Sequence, residues 1–175
     1  MIPEIETERL ILRGMIRADF PAYLAIWQEP EVVRFTGGTT RSESECWSRF
    51  LNMAGSWMIE GFGQWAITLK PDQALVGQTG FFNARRDIGD DFDTAPEAGW
   101  VLSAKAHGRG YGREAVEAAH RWFDTQPFGG CSHAMIDTGH AASFAIADRL
   151  GYNTMRHCQY AGEPVALLRR DMRKK

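Results

Sequence analysis

The sequence predicts one α/β domain over residues 1–175, built on a mixed, mostly antiparallel twisted sheet flanked by helices. Three observations carry that prediction. The apolar period switches repeatedly between the two-residue repeat of strands and the 3.6-residue repeat of helices. Three strand patterns follow one another between residues 65 and 103, as in an antiparallel meander, and a β-α-β-α run then extends to residue 150. No repeat, linker or low-complexity tract divides the chain, and 175 residues are enough for one well-buried core.

Residues 6–13 set Leu10 and Leu12 against Arg9, Ile11 and Arg13, which predicts a first strand. Asp19 offers an N-cap and Pro21 fits an early turn, so Phe20, Tyr23, Leu24 and Trp27 mark a short helix ending near Glu29 and Pro30. After Gly37-Gly38, Thr40-Arg41-Ser42-Glu43 has the spacing of a capping box. Trp47, Phe50, Leu51, Ala54, Trp57 and Met58 form the apolar stripe of the helix it starts, which stops before Gly61.

Trp65, Ile67 and Leu69 then alternate with polar or small residues before a Pro71-Asp72 turn, and a further strand covers 75–84. The polar connection 85–96 is expected outside the core, ahead of a strand over 97–103 with Ala98, Trp100 and Leu102 on one face. Ala115, Val116, Ala119, Trp122 and Phe123 mark a helix beyond Gly112, broken by Pro127 and Gly129-Gly130. A strand over 132–137, a helix over 141–150 stopped by Gly151, and strands over 152–160 and 165–171 complete the chain.

Composition removes several functions. Hydrophobic residues at 44% and charged residues at 24% exclude a disordered or fibrous chain. With 20 Lys plus Arg against 22 Asp plus Glu, the net charge of -2 gives no reason to expect a nucleic-acid partner. No run reaches the roughly 18 apolar residues of a membrane span. Glu4, Glu6, Glu8 and Arg9 do not read as a leader, so a cytoplasmic protein without a membrane partner is expected. Cys46, Cys131 and Cys158 are odd in number and far apart, as suits reduced thiols.

The segment most informative about chemistry is His107-Gly108-Arg109-Gly110-Tyr111-Gly112-Arg113-Glu114, between a predicted strand and a predicted helix. Glycines let the backbone turn its N–H groups toward a ligand and the helix N-terminus adds positive potential, so the loop suits phosphate, with Arg109 and Arg113 as added cations. It also reads as a glycine-rich turn with two solvated arginines. Gly112-Arg113-Glu114 lacks the Gly-Lys-Ser/Thr ending of a Walker loop, and Arg113 stands where the dinucleotide fingerprint needs its third glycine.

Other constellations carry less. Cys131-x-His133 and His157-Cys158 lack metal-site spacing, so no metal is expected. Cys131 has no readable base partner that would make it a nucleophile. The basic tail, Arg169, Arg170, Arg173, Lys174 and Lys175, reads as solvated charge or an electrostatic contact.

The glycine loop resembles motif A of the GNAT N-acetyltransferase superfamily, and the likeness extends along nearly the whole chain. It is nearest the RimJ/RimL-like branch, which acetylates ribosomal-protein N-termini: Glu6 to Arg13 is similar to that branch's first strand, Gly61 to Leu69 to its second, and Glu97 to Leu102 to the strand leading into motif A. Ala141-Ala142-Ser143 with Leu150-Gly151-Tyr152 resembles the Asn-x-x-Ser…Leu-Gly-Phe signature of the following helix. The resemblance implies a V-shaped opening beside the motif A strand that holds the pantetheine arm of acetyl-CoA. Val101, Leu102, His107, Gly108, Arg109, Gly110, Tyr111, Gly112, Arg113, His140 and Ser143 would then hold the cofactor. His107 departs from the usual Gln/Arg, His140 replaces the Asn, and Ala147 stands where many relatives carry a Tyr.

The implied reaction is acetyl transfer from acetyl-CoA to a primary amine, on a protein N-terminus or a small molecule, by direct attack on the thioester. Glu97, expected at an exposed strand end, would remove the amine proton, and Ser143 is the matched hydroxyl near the thiol. Asp87, Asp90, Asp91 and Asp93 would lie near the amine entrance and attract a cationic acceptor. A non-catalytic CoA- or nucleotide-binding module and a scaffold are the alternatives, and a homodimer stays open.

Overall fold

The computed structural model describes residues 1–172. The chain forms β1 (Ile5–Glu6), β2 (Leu10–Arg13), α1 (Phe20–Trp27), α2 (Pro30–Val33) and α3 (Glu43–Glu60), then β3 (Gln64–Leu69), β4 (Leu75–Phe82) and α4 (Asp90–Asp93). It continues with β5 (Glu97–Leu102), α5 (Tyr111–Phe123), β6 (Cys131–Asp137), α6 (Ala141–Leu150), β7 (Asn153–Tyr160) and β8 (Glu163–Asp171). The eight strands make one sheet in the order β1-β2-β3-β4-β5-β6-β8-β7. Every neighbouring pair is antiparallel except β5 and β6, which are parallel and registered only at Glu97↔His133. Beyond that pair the two strands diverge, and the central gap in the sheet is the feature that positions the site.

The core packs α3 and α5 against the sheet, with Trp57, Trp65, Phe81, Phe123, Leu10 and Leu168 in one cluster. Phe81 and Phe123 stack with centroids 3.8 Å apart. A buried polar chain ties α5 to the far end of the sheet: Ser132 Oγ and Tyr152 Oη are 2.7 Å apart, His120 Nε2 lies 2.9 Å from that Oη, and His120 Nδ1 lies 2.8 Å from Val116 O. Burial pushes the His120 imidazole down to about 4, so it is neutral at pH 7.

Several local expectations change. The first strand is interrupted, because Thr7 Oγ1 accepts from Leu10 N and turns the chain between β1 and β2. Asp19 donates no cap; its carboxylate accepts from Arg13 at 2.7 and 2.8 Å and from Ile16 N. The capping box of α3 is Ser42 with Glu45, two residues later than the predicted pair. The face of α3 is rotated accordingly: Cys46, Phe50, Met53 and Trp57 are buried, while Leu51 and Met58 are exposed. The 85–96 connection is not wholly outside the core, since α4 buries Phe92 against Val165 and Leu167. In the basic tail, Arg169 pairs with Asp171 and Arg170 with Asp124, whereas Arg173, Lys174 and Lys175 lie outside the described residues. No helix among the described residues is long and apolar enough to cross a membrane.

Candidate active site

The loop between β5 and α5 is held from behind. Glu114, in the first turn of α5, accepts from Thr7 Oγ1 at 2.6 Å, Arg9 N at 2.9 Å and Arg9 Nε at 2.7 Å, and Arg9 Nη1 donates to Arg109 O at 2.9 Å. Burial pushes the Glu114 carboxyl up, but these donors outweigh it and hold the group below the usual carboxylate range. His107 Nε2 lies 3.0 Å from Leu102 O, which closes the loop on the end of β5. Gly108 and Gly110 have φ of 71° and 77°, a backbone that L side chains rarely adopt. The first amides of α5 have no acceptor within the helix, so this tethered loop presents unpaired N–H groups at a positive helix end.

Those groups border a cavity of about 670 Å³ that takes in Val101, Leu102, His107, Gly108, Gly110, Gly112, Arg113, His140 and Ser143. Arg109 and Tyr111, expected beside them, do not line it. Tyr111 packs on the core under the Arg9 guanidinium, 4.7 Å from its ring, and Arg109 takes part through its carbonyl. Ala147 is buried and borders neither this cavity nor its neighbour, so a side chain there packs in the core.

A second cavity, about 510 Å³, meets the first along a common wall of Phe35, Thr36, Trp100, Val101, His140 and Ser143. Trp100 Nε1 donates to Ser143 Oγ at 3.0 Å, which leaves the hydroxyl proton free to be donated at the junction. His140 stacks on Phe35 with centroids 4.3 Å apart, and burial holds its imidazole below the ordinary value.

Glu97 borders this second cavity, but it is not the exposed strand end that the sequence suggested. It is 4% exposed, and its two oxygens accept from Arg86 Nε at 2.6 Å and Nη2 at 2.7 Å. Burial outweighs the pull of Arg86 and holds its carboxyl above the usual carboxylate range, while the two-pronged contact occupies both oxygens. The acidic stretch, unlike Glu97, does not border the cavity. Asp91 pairs with Arg156, and Asp93 accepts from Arg86 N and Ile88 N. Burial also pushes the Cys131 thiol up, away from the thiolate a nucleophile needs. No group of three His, Cys, Asp or Glu among the described residues could hold a metal.

Sequence reading missed most of the second cavity. Trp27, Arg41, Arg49, Gln64, Gln78, Arg86 and Tyr160 come from seven different elements or loops, and no spacing along the chain links them.

Residues 9–153 match the family described as Acetyltransferase (GNAT) domain. The chain belongs to the GNAT acetyltransferase family. As a GNAT protein it is an acyltransferase that depends on acetyl-CoA, and the loop, its glycines and the adjoining cavity fit that cosubstrate. The GNAT fold is shared with a protein from Bordetella pertussis assigned to the GNAT acetyltransferase family, at 26% identity over 96% of this chain and 99% of that one, with a TM-score of 0.85. An acetyltransferase from Agrobacterium tumefaciens is 27% identical over 98% and 96% of the two chains, with a TM-score of 0.82. RimL, a ribosomal L7/L12 α-N-protein acetyltransferase solved with coenzyme A, has the same fold at 14% identity over 97% and 98%, with a TM-score of 0.79.

Proposed function

We propose that this GNAT enzyme acetylates a primary amine by direct attack on the thioester, with acetyl-CoA in the loop-side cavity and the amine in the second. The observation that carries the reading is the common wall: the two cavities meet along Phe35, Thr36, Trp100, Val101, His140 and Ser143, and the hydroxyl of Ser143 lies on it. Val101 and Leu102 lie on β5 after its last registered pair with β6 and border the loop-side cavity, so an extended amide-bearing arm can run along this edge of the strand. The amides of 108–113, with Arg113, take the pyrophosphate.

Acetyl-CoA supplies an acyl group already activated as a thioester. The chain aligns a neutral amine with it: the N–C bond forms, the C–S bond breaks, the amine loses a proton and the departing thiolate gains one. Ser143 Oγ donates that second proton and is reprotonated from the water that takes up the amine's. For the first, the Arg86 pairing leaves Glu97 a poor base, and we assign it to holding Arg86 in the cavity wall, with the amine proton leaving to water beside the neutral His140 imidazole. A protein N-terminus as acceptor is supported by the branch likeness and by the printed acceptor of RimL. The three free cysteines suit a reducing cytoplasm.

The test is thiol release from acetyl-CoA across a panel of amines, with acetyl-CoA binding followed separately by calorimetry. Amine-dependent release supports the reading. Cofactor binding without release to any amine would favour the non-catalytic module.

A further inference from the structure

The amine-side cavity has two arginines that lie near Glu45 but form no ion pair with it. Arg41, in the connection before α3, and Arg49, on α3, both border the cavity and both lie over the Trp27 ring, with guanidinium carbons 4.9 and 5.1 Å from its centroid. Among the described residues neither forms an ion pair, unlike Arg86 in the same wall. Of the acidic groups nearby, Glu45 Oε2 accepts from Ser42 N and Oγ, Glu97 holds Arg86 and Asp137 Oδ1 accepts from Gly139 N, while Glu163 borders the cavity from β8 and pairs with neither arginine.

Two buried donors within the stack have no acceptor, Arg41 Nε and Trp27 Nε1, and the Tyr23 hydroxyl stands near Trp27 and Arg49. Buried N–H groups without an acceptor are rare in native proteins, and these two mark the stack as a place where polar groups are under-satisfied. Two like charges sharing one indole ask for the same partner, and burial together with the Arg49 charge holds the Arg41 guanidinium below its ordinary value.

We propose that the acceptor is a primary amine that carries a carboxylate, and that Arg41 and Arg49, held over Trp27, bind that carboxylate while the amine reaches the Ser143 junction. The fork of a guanidinium matches the two oxygens of a carboxylate. A free amino acid and a peptide N-terminus with an adjacent Asp or Glu both present this chemistry. The inference rests on the acetyl-transfer reading of the two cavities, and it reverses the expectation that a cationic acceptor is drawn in by the Asp87 to Asp93 stretch, which does not border the cavity.

The experiment compares acceptors matched except for the carboxylate: free amino acids with their α-amides, and tripeptides with Asp or Glu at the second position against Asn or Gln. Both kcat/KM and calorimetric binding of the same probes are measured. A preference of about ten- to a hundredfold for the carboxylate is expected, as a charge-assisted contact gives, in whichever pair fits the cavity. It should shrink toward one in Arg49→Gln and in Arg41→Gln, while acetyl-CoA affinity keeps its wild-type value. Arg49 is exposed, so its variant reports even if loss of the Arg41 contact to Thr36 O disturbs the loop. Equal use and equal binding of carboxylate and amide probes would overturn the proposal. Failure to bind acetyl-CoA would instead sink the cofactor assignment, while the calorimetric arm would still decide the carboxylate.

Discussion

The two halves of the groove are made of different material. The cofactor half is main chain: two glycines with positive φ, the first turn of α5 and the unpaired end of β5. The acceptor half is side chain: Arg41, Arg49 and Trp27 on one flank, and the Arg86–Glu97 pair on the other. Main-chain sites tolerate almost any side chain except where glycine is required, so they suit a ligand shared by many enzymes. Side-chain sites change with single substitutions and suit a ligand that differs from one enzyme to the next.

The largest effect should come from breaking the acceptor half. Glu97→Gln removes the partner of a largely buried guanidinium, and losing one member of such a pair costs about 3–5 kcal/mol. The melting temperature should fall sharply, and the residual rate should be reduced by a similar factor at every pH. A variant of wild-type stability whose rate recovers as pH rises would restore Glu97 as the base.

Acidification should spare both halves at first and act on the framework behind them. His120 titrates at about 4 in the fold against 6.5 unfolded, so the unfolded chain takes up the proton first. Stability is therefore complete above pH 6.5 and falls as pH drops from 6.5 toward 4, by up to about 3 kcal/mol. Denaturant titrations of wild type and His120→Gln across that range check it; the variant should show a flatter dependence.

In the cofactor half, Gly110→Val places a branched side chain at φ 77°. Acetyl-CoA affinity should drop about a hundredfold, or about 2.7 kcal/mol, with the circular dichroism unchanged. Ser143→Ala, at the junction, should lower kcat about tenfold while leaving the acetyl-CoA KM near its wild-type value. Smallest of all, Asp90→Asn with Asp91→Asn removes only the surface pair of Asp91 with Arg156, worth under about 1 kcal/mol, and should leave every acceptor's KM unchanged. A rise confined to cationic acceptors at low salt would return the acidic stretch to the entrance.

The same division explains what could be read from the chain. The glycine loop is contiguous, and α6 follows from period and glycine stop alone, at 141–150 as expected. The face of α3 was misread by a position because Trp47, Leu51 and Met58 are apolar on a helix whose inward stripe runs through Cys46 and Met53. Phe92 was lost in an acidic stretch because one buried aromatic has no period. Glu97 was placed correctly in the strand and wrongly in solvent, since its partner Arg86 lies in a loop and pairing across a fold leaves no local pattern. Arg41 and Arg49 look like ordinary surface charge until the fold sets them both over Trp27.

The central claim is that one groove through the β5–β6 gap binds acetyl-CoA on the main chain of 101–102 and 108–113. Amide hydrogen exchange with and without acetyl-CoA tests it most directly. The account predicts slowed exchange at Val101, Leu102 and Gly108 to Arg113 on binding, with the Arg41 to Arg49 segment protected only when a carboxylate acceptor and CoA are both present. Tight acetyl-CoA binding that leaves 108–113 exchanging freely and protects the Arg41 to Arg49 segment instead would contradict it.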